Sequence, residues 1–249
     1  MSTSKFFLYP EKIWPEFEEI ALRMTPVSKR GRPRASLKKI FFAIAYVLKT
    51  GIPWKLLPKD YQISASTAHH YHMIWSEKGA YAELWNHQLT FLEEEKVLTK
   101  KIQMIDCSLS KSRYGGEKTG RNPTDRGKKG TKRSILITQE GIPIAIAVAE
   151  ANQIKTSQKV KILADKAYIG IIPRQKNYKI CTPLRKNMKA KYLSRDYRKR
   201  WAVERTLSWQ NNFSRIASRR ERSFRSYMGM LTLSCCFICY KIASFWLGD

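Results

Sequence analysis

The period of the apolar residues changes at Lys101, and no single-class fold accommodates that change. Upstream, Ser36 precedes Leu37, Ile40, Phe41, Ile44, Val47 and Leu48. This three-and-four spacing predicts an amphipathic helix of about four turns with a serine N-cap. Pro26, Gly51-Ile52-Pro53, Pro58 and Gly79 separate this segment from others of helical length, including Ala68 to Trp75 and Tyr81 to Leu98. Downstream, the short β-branched runs Ile102 to Asp106, Ser134 to Thr138, Ile142 to Ala149 and Val160 to Ala164 predict strands. Gly141 and Pro143 suit a hairpin, which makes the first three strands consecutive and antiparallel. The helical pattern returns from Ser194. The expected fold class is therefore α/β, with residues 1–100 as a helical unit and residues 101–249 as a second unit built on a sheet.

The chain has 249 residues, 43% of them apolar, which is enough for a sizeable core. Lys and Arg number 47 against 20 Asp and Glu, a formal charge of +27. That excess points to a polyanionic partner, nucleic acid first. The five cysteines, three of them at Cys235, Cys236 and Cys239, argue against a secreted disulfide framework and for a reducing compartment. Met1 to Pro10 has no basic segment followed by an apolar run, so no signal peptide is expected, and cytoplasmic residence is. The uncharged run Ser226 to Tyr240 is too short to cross a bilayer and reads as a buried helix.

In so basic a chain, carboxylates beside apolar strands stand out. Asp106 follows Ile102-Gln-Met-Ile, and Asp165 follows Val160-Lys-Ile-Leu-Ala, each at the C-terminal end of an expected strand, where α/β sheets gather their ligands. On the helix expected from Ser194 to Ser214, Tyr197, Arg200, Glu204 and Asn211 fall within roughly 60° of one another. Three carboxylates of this kind, two on strands and one on a helix, are what two Mg²⁺ bound at a phosphodiester require. Mn²⁺ has the ligand preference to replace Mg²⁺ there.

Several motifs carry a resemblance to a known family. Asp106-Cys-Ser-Leu-Ser-Lys, the glycine-rich basic string Gly115 to Arg133, Gly141-Ile-Pro, Ala164-Asp-Lys-Ala-Tyr168 and Trp201-Ala-Val-Glu-Arg-Thr206 resemble insertion-sequence DDE transposases of the insertion sequence five family. Gly31-Arg-Pro-Arg, Ala45 to Trp54 and Leu57-Pro58 resemble the helical DNA-binding part of the same family. The resemblance spans residues 28 to 225. It implies an RNase H-like catalytic core preceded by an all-helical region with a helix-turn-helix, and it assigns Asp106, Asp165 and Glu204 as catalytic residues and ligands of two Mg²⁺. The implied activity is metal-dependent cleavage at terminal inverted repeats followed by strand transfer into target DNA, on double-stranded DNA and as a homodimer, with no membrane partner. Tyr197, Arg200 and Glu204 match the signature around the family's glutamate, whereas Asn211 stands where that signature has lysine.

The expected DNA contacts follow from charge and position. Arg30, Arg32 and Arg34 flank Gly31 and Pro33 in an extended basic turn suited to a narrow minor groove. Lys118, Arg121, Arg126, Lys128 and Lys129 lie on what reads as a long basic loop from Ser110 to Arg133. Arg200, Arg205, Arg219 and Arg220 lie on and after the Glu204 helix. His69 and His72 share a helical face without a carboxylate or cysteine partner, which favours DNA contacts over metal. Only about ten residues, Glu150 to Lys159, separate the third strand from the fourth, short for a crossover helix. That shortness raises a second expectation, an internally deleted remnant that binds DNA without cutting it.

Overall fold

The computed structural model describes residues 9–25, 33–99, 101–121, 126–148, 160–164, 178–181 and 200–248. Four helices come first: α1 (Tyr9–Met24), α2 (Leu37–Thr50), α3 (Ala65–Glu77) and α4 (Ala80–Glu94), with two 3₁₀ turns, Trp54–Leu56 and Lys59–Tyr61, between α2 and α3. Helix α2 begins where the Ser36 side chain accepts from the Lys39 amide. It ends at Gly51, whose φ of +71° closes the last turn and whose added Cβ would lie 2.8 Å from Ser214 Cβ. Only glycine meets both conditions at that position.

The sheet comprises β1 (Ile102–Ser112), β2 (Gly120–Arg121), β3 (Lys129–Thr138), β4 (Pro143–Val148), β5 (Val160–Ala164), β6 (Tyr178–Cys181) and, after helix α5 (Trp201–Asn211) and the short α6 (Ser214–Ala217), the two-residue β7 (Ser218–Arg219). Across its middle the order is β4-β3-β1-β5-β6. Strand β3 is antiparallel to both β1 and β4, whereas β5 runs parallel to β1 and β6 parallel to β5. The three-strand antiparallel unit expected from Gly141 is present, and the mixed sheet with its helices is consistent with the α/β class.

The expected loop from Ser110 to Arg133 requires correction. β1 continues to Ser112 and β3 starts at Lys129, so both ends of that span belong to the outer half of a long hairpin, with Lys111 opposite Gly130. Its inward side chains are polar and hydrogen-bonded to distant elements. Ser110 hydrogen-bonds the Tyr227 hydroxyl at 2.9 Å, and Thr131 Oγ1 accepts from Arg219 Nη1 at 2.9 Å.

The last helix, α7 (Phe224–Leu247), packs against α4, α3 and α1, so one apolar core holds Phe17, Phe41, Trp75 and Tyr81 together with Tyr227, Leu231 and Phe237. Among the described residues it is one helix long and apolar enough to cross a membrane, and 61% of its most apolar window is buried inside the protein. Cys107, Cys235, Cys236 and Cys239 are free, and burial pushes the Cys235 thiol up to about 12.

His72, expected on a DNA-facing surface, is fully buried in this core. Its Nε2 lies 3.1 Å from the Ser226 carbonyl and its Nδ1 3.3 Å from the Tyr81 hydroxyl, partners that suit a neutral ring donating from Nε2. Burial pushes the imidazole down to about 3, assisted by the nearby His69 and Arg215 and opposed by the Ser226 carbonyl. Unfolding returns the ring to its ordinary 6.5, so below that pH the unfolded chain takes up a proton that the folded chain refuses. Stability is therefore complete above pH 6.5 and declines as pH falls toward 3, by ~1.4 kcal/mol per pH unit. Urea denaturation is expected to show a loss of ~2 kcal/mol between about pH 7.5 and about pH 5. A His72→Gln chain is expected to lose most of that slope; an unchanged slope would assign it to other groups.

Candidate active site

Helix α5 carries its apolar side chains on one face, and Ala202, Val203 and Leu207 pack with Met104, Ile135 and Ile137 of the sheet. Thr206 Oγ1 donates to the Gly141 carbonyl at 2.8 Å, fixing the helix to the β3–β4 turn. That seating leaves Glu204 on the opposite face, beside the end of the Ile102-Gln-Met-Ile run in β1. Arg200 joins the two carboxylates: its Nη2 is 2.5 Å from Asp106 Oδ2 and its Nη1 3.5 Å from Glu204 Oε1. Asp106 Oδ1 accepts from the Cys107 amide at 2.8 Å. Asp106 and Arg200 are mostly enclosed, with side-chain exposures of 15% and 17%, whereas Glu204 is 65% exposed and open to a ligand.

Asp165 and Tyr197 lie outside the described residues. The strand that leads to Asp165 is described. In the parallel pairing of β1 with β5, Ile105 is the partner of Ala164. The residues preceding Asp106 and Asp165 in the sequence are thus side by side. Among the described residues, no group of three or more His, Cys, Asp or Glu is placed to hold a metal ion. Asp106 and Glu204 supply hard oxygen donors of the kind Mg²⁺ prefers, already oriented toward a shared cation, the Arg200 guanidinium.

The expected DNA-contacting residues divide into distinct environments. Lys118, Arg121, Arg126, Lys128 and Lys129 are all exposed around the outer end of the β1–β3 hairpin, a continuous basic surface. Arg220 reaches the Tyr114 hydroxyl at 3.4 Å on the same end of the sheet. Arg30 and Arg32 lie outside the described residues, and Arg34 donates to the Thr25 carbonyl at 2.5 Å, tying the end of α1 to the approach to α2. Arg205 is flanked by two indoles, 4.4 Å from the Trp201 ring centre and 4.8 Å from that of Trp209, and donates to the Glu140 carbonyl at 2.6 Å. Arg219 is only 1% exposed, with its guanidinium spent on Thr131 and the carbonyls of Glu221 and Arg222. It holds the hairpin to the segment before α7 and has no surface to offer a phosphate. Arg215, four residues after Asn211, is likewise buried against Glu221. Asn211, at that lysine's position, accepts a hydrogen bond from Arg133.

One feature of the site left no mark in the spacing of motifs. Trp201, Arg205, Trp209, Lys241 and Phe245 surround a cavity of about 280 Å³ on the flank of α5. Its residues come from α5 and α7, far apart in the sequence, and the only local signal was the number of exposed-face tryptophans on α5.

Residues 11–85, nearly the whole of the α1–α4 unit, match the family described as "Putative transposase of IS4/5 family". Over 169 residues the chain is 27% identical to "Putative transposase for insertion sequence element IS402" of Burkholderia cepacia, an alignment that covers 59% of this chain and 79% of that protein. The chain is similar to IS4/5 insertion-sequence transposases over these residues. No solved structure gives a significant match. The family match falls on the helices, and the aspartates and glutamate of the sheet unit lie outside its bounds.

Proposed function

We propose that this transposase relative cleaves DNA at terminal inverted repeats and joins the freed end to target DNA, using Asp106, Asp165 and Glu204 on an RNase H-like sheet. The pairing of Ile105 with Ala164 across parallel strands is the observation that carries the reading. It supports a site in which Asp106, within β1, and Asp165, the residue after β5, come from neighbouring parallel strands, with Glu204 brought alongside by α5. The order β4-β3-β1-β5-β6, antiparallel on one side of β1 and parallel on the other, supports the RNase H-like description.

Asp106, Asp165 and Glu204 would hold two Mg²⁺, which supply Lewis acidity at the phosphodiester and ease deprotonation of the attacking hydroxyl or water. The chain's own contribution is orientation and charge. The Cys107 amide fixes the Asp106 carboxylate, and Arg200 carries the positive charge that a scissile phosphate would meet. The hairpin cations Lys118, Arg121, Arg126, Lys128 and Lys129 would neutralise flanking phosphates. In the helical unit, α3 is the candidate recognition helix of a helix-turn-helix, because Ser66, His69 and His70 are exposed on it. The chain would act in the cytoplasm, on the nucleoid.

A second reading is a binding-only remnant, favoured by the eleven residues between Val148 of β4 and Val160 of β5. Eleven residues extend ~36 Å, enough to pass β3 and β1 but too few for a covering helix as well. Incubation with a supercoiled plasmid carrying the flanking repeats separates the two. Mg²⁺-dependent ends at the repeat boundaries, absent with EDTA and with Glu204→Gln, support cleavage. A shifted repeat that is never cut supports the remnant, and no specific binding overturns both.

A further inference from the structure

Helix α5 opens on a residue that the helix itself disfavours. Arg200 stands at its N-cap, and the side chain makes no capping hydrogen bond. A cation there faces the positive end of the helix macrodipole. Its pairing with Glu204 four residues on runs arginine first, the weaker of the two orientations. Neither local term favours the guanidinium where it is. Among the described residues, the contact that holds it is tertiary: Nη2 lies 2.5 Å from Oδ2 of Asp106, on β1.

Arg200 therefore occupies the position between Asp106 and Glu204 that a metal ion would take. Its two terminal nitrogens reach one oxygen of each carboxylate, at 2.5 and 3.5 Å, and its side chain is mostly enclosed. The positive charge lets two carboxylates sit together that would otherwise repel. The same charge opposes a divalent cation at those oxygens. A phosphodiester reverses the balance. It offers the planar guanidinium a bidentate anionic partner, and the start of α5 favours an anion where it disfavours the arginine. Once the guanidinium turns to phosphate, the two carboxylates face each other with no cation between them.

We propose that Arg200 is a stand-in cation that keeps divalent metal off Asp106 and Glu204 until a DNA phosphate draws it away. The inference rests on the reading of these two carboxylates as metal ligands. It makes the guanidinium an inhibitory contact in the DNA-free chain and a phosphate contact in the DNA-bound one. Metal is thereby confined to chains that already hold a phosphate beside α5. By linkage, metal and DNA raise each other's affinity by the same factor.

Titration of Mn²⁺ into the DNA-free full chain, followed by loss of the free ion's electron paramagnetic resonance signal, tests the proposal. Arg200→Met is expected to bind Mn²⁺ about tenfold tighter than the wild type, because the ion no longer displaces a charge-assisted hydrogen bond. Arg200→Lys keeps a positive charge and is expected to stay near the wild type. Circular dichroism checks that both variants are folded. A repeat duplex ending at the expected cleavage point, corrected for the Mn²⁺ that the duplex binds alone, is expected to raise the wild-type affinity more than that of Arg200→Met. Equal DNA-free affinities of the wild type and Arg200→Met, or a lysine variant as tight as the methionine one, overturn the proposal. Asp106→Asn tells that failure from failure of the underlying reading. If Asp106→Asn removes Mn²⁺ binding while the wild type and Arg200→Met bind equally, the carboxylates are ligands and only the stand-in role falls. If Asp106→Asn changes Mn²⁺ binding neither with nor without the duplex, the metal reading falls and the stand-in role falls with it.

Discussion

Asp106→Asn is expected to lower the rate of Mg²⁺-dependent strand cleavage by ~10³-fold or more, the several kcal/mol of transition-state stabilisation that a metal-organising carboxylate supplies. The substitution keeps the size and shape of the side chain and replaces a charged donor oxygen with an amide. Affinity for repeat DNA is expected to stay equal or rise. The carboxylate now neutralises Arg200 at 2.5 Å, and its loss leaves less negative charge beside that guanidinium and in the path of a phosphate. Cleavage of a repeat-bearing plasmid and the mobility shift of a labelled repeat, measured on the same preparation, read the two effects separately. Equal losses of cleavage and binding would make Asp106 a structural residue, and unchanged cleavage would remove it from the site. The glutamate is more exposed and linked to Arg200 at a longer distance, so Glu204→Gln tests a ligand whose removal disturbs the fold less.

Binding to DNA and holding the fold together draw on the same arginines in this chain, and composition cannot separate the two uses. Twelve lysines and arginines were expected to contact DNA from charge and order alone. The exposed hairpin residues Lys118, Arg121, Arg126, Lys128 and Lys129 lie where such a role requires, yet Arg219 turned inward. The difference arises from partners far away in the chain. Arg219 is used up by Thr131 on β3 and by carbonyls of its own turn, and no local pattern around residues 215–225 reveals that. His72 is similar. Its neighbours Tyr81 and Ser226 approach only after α7 folds back onto α3, so a residue read as part of an exposed face became a core histidine.

The elements that were legible had local causes. Helix α2 could be read from Ser36, its apolar stripe and Gly51, and the β3–β4 hairpin from Gly141 and Pro143, because capping and turn geometry act within a few residues. The outer half of the β1–β3 hairpin was missed for the opposite reason. Its inward positions are Ser110, Ser112, Thr131 and Arg133, polar residues whose partners include Tyr227, Arg219 and the Ile216 carbonyl, so the apolar alternation that marks a strand is absent. In the candidate site, Asp106 and the glutamate helix were visible, although Asp106 lies within β1 and not at its end as expected, and Asp165 lies outside the described residues; the link through Arg200 needed a tertiary contact of 94 residues' separation.

Removing the Glu221 carboxylate is expected to cost more stability than any other single polar substitution, ~3–5 kcal/mol for Glu221→Ala. Arg215 and Glu221 form an ion pair at 2.5 Å with side-chain exposures of 3% and 2%. Arg215 also donates to the Ile52 carbonyl at 2.7 Å, and the Glu221 carbonyl accepts from Arg219 Nε at 2.8 Å. The pair thus locks the segment after α5 to the turn that ends α2, joining the helical unit to the sheet unit. Without Glu221, a buried guanidinium keeps its desolvation cost and loses its counter-charge. Replacing both members, Arg215→Met with Glu221→Leu, removes the stranded charge and is expected to be milder than Glu221→Ala alone, since an apolar pair of similar volume often matches a buried ion pair. Urea denaturation midpoints of the wild type, both single variants and the double variant close a cycle that isolates the pair. Of a total stability of ~5–15 kcal/mol, a loss of this size leaves little reserve, so Glu221→Ala is expected to unfold well below the wild-type midpoint. Additive single and double effects would show that the pair carries no coupling. The two units would then be held together by the apolar core they share and by hydrogen bonds such as that from Trp85 Nε1 to the Pro143 carbonyl at 3.1 Å.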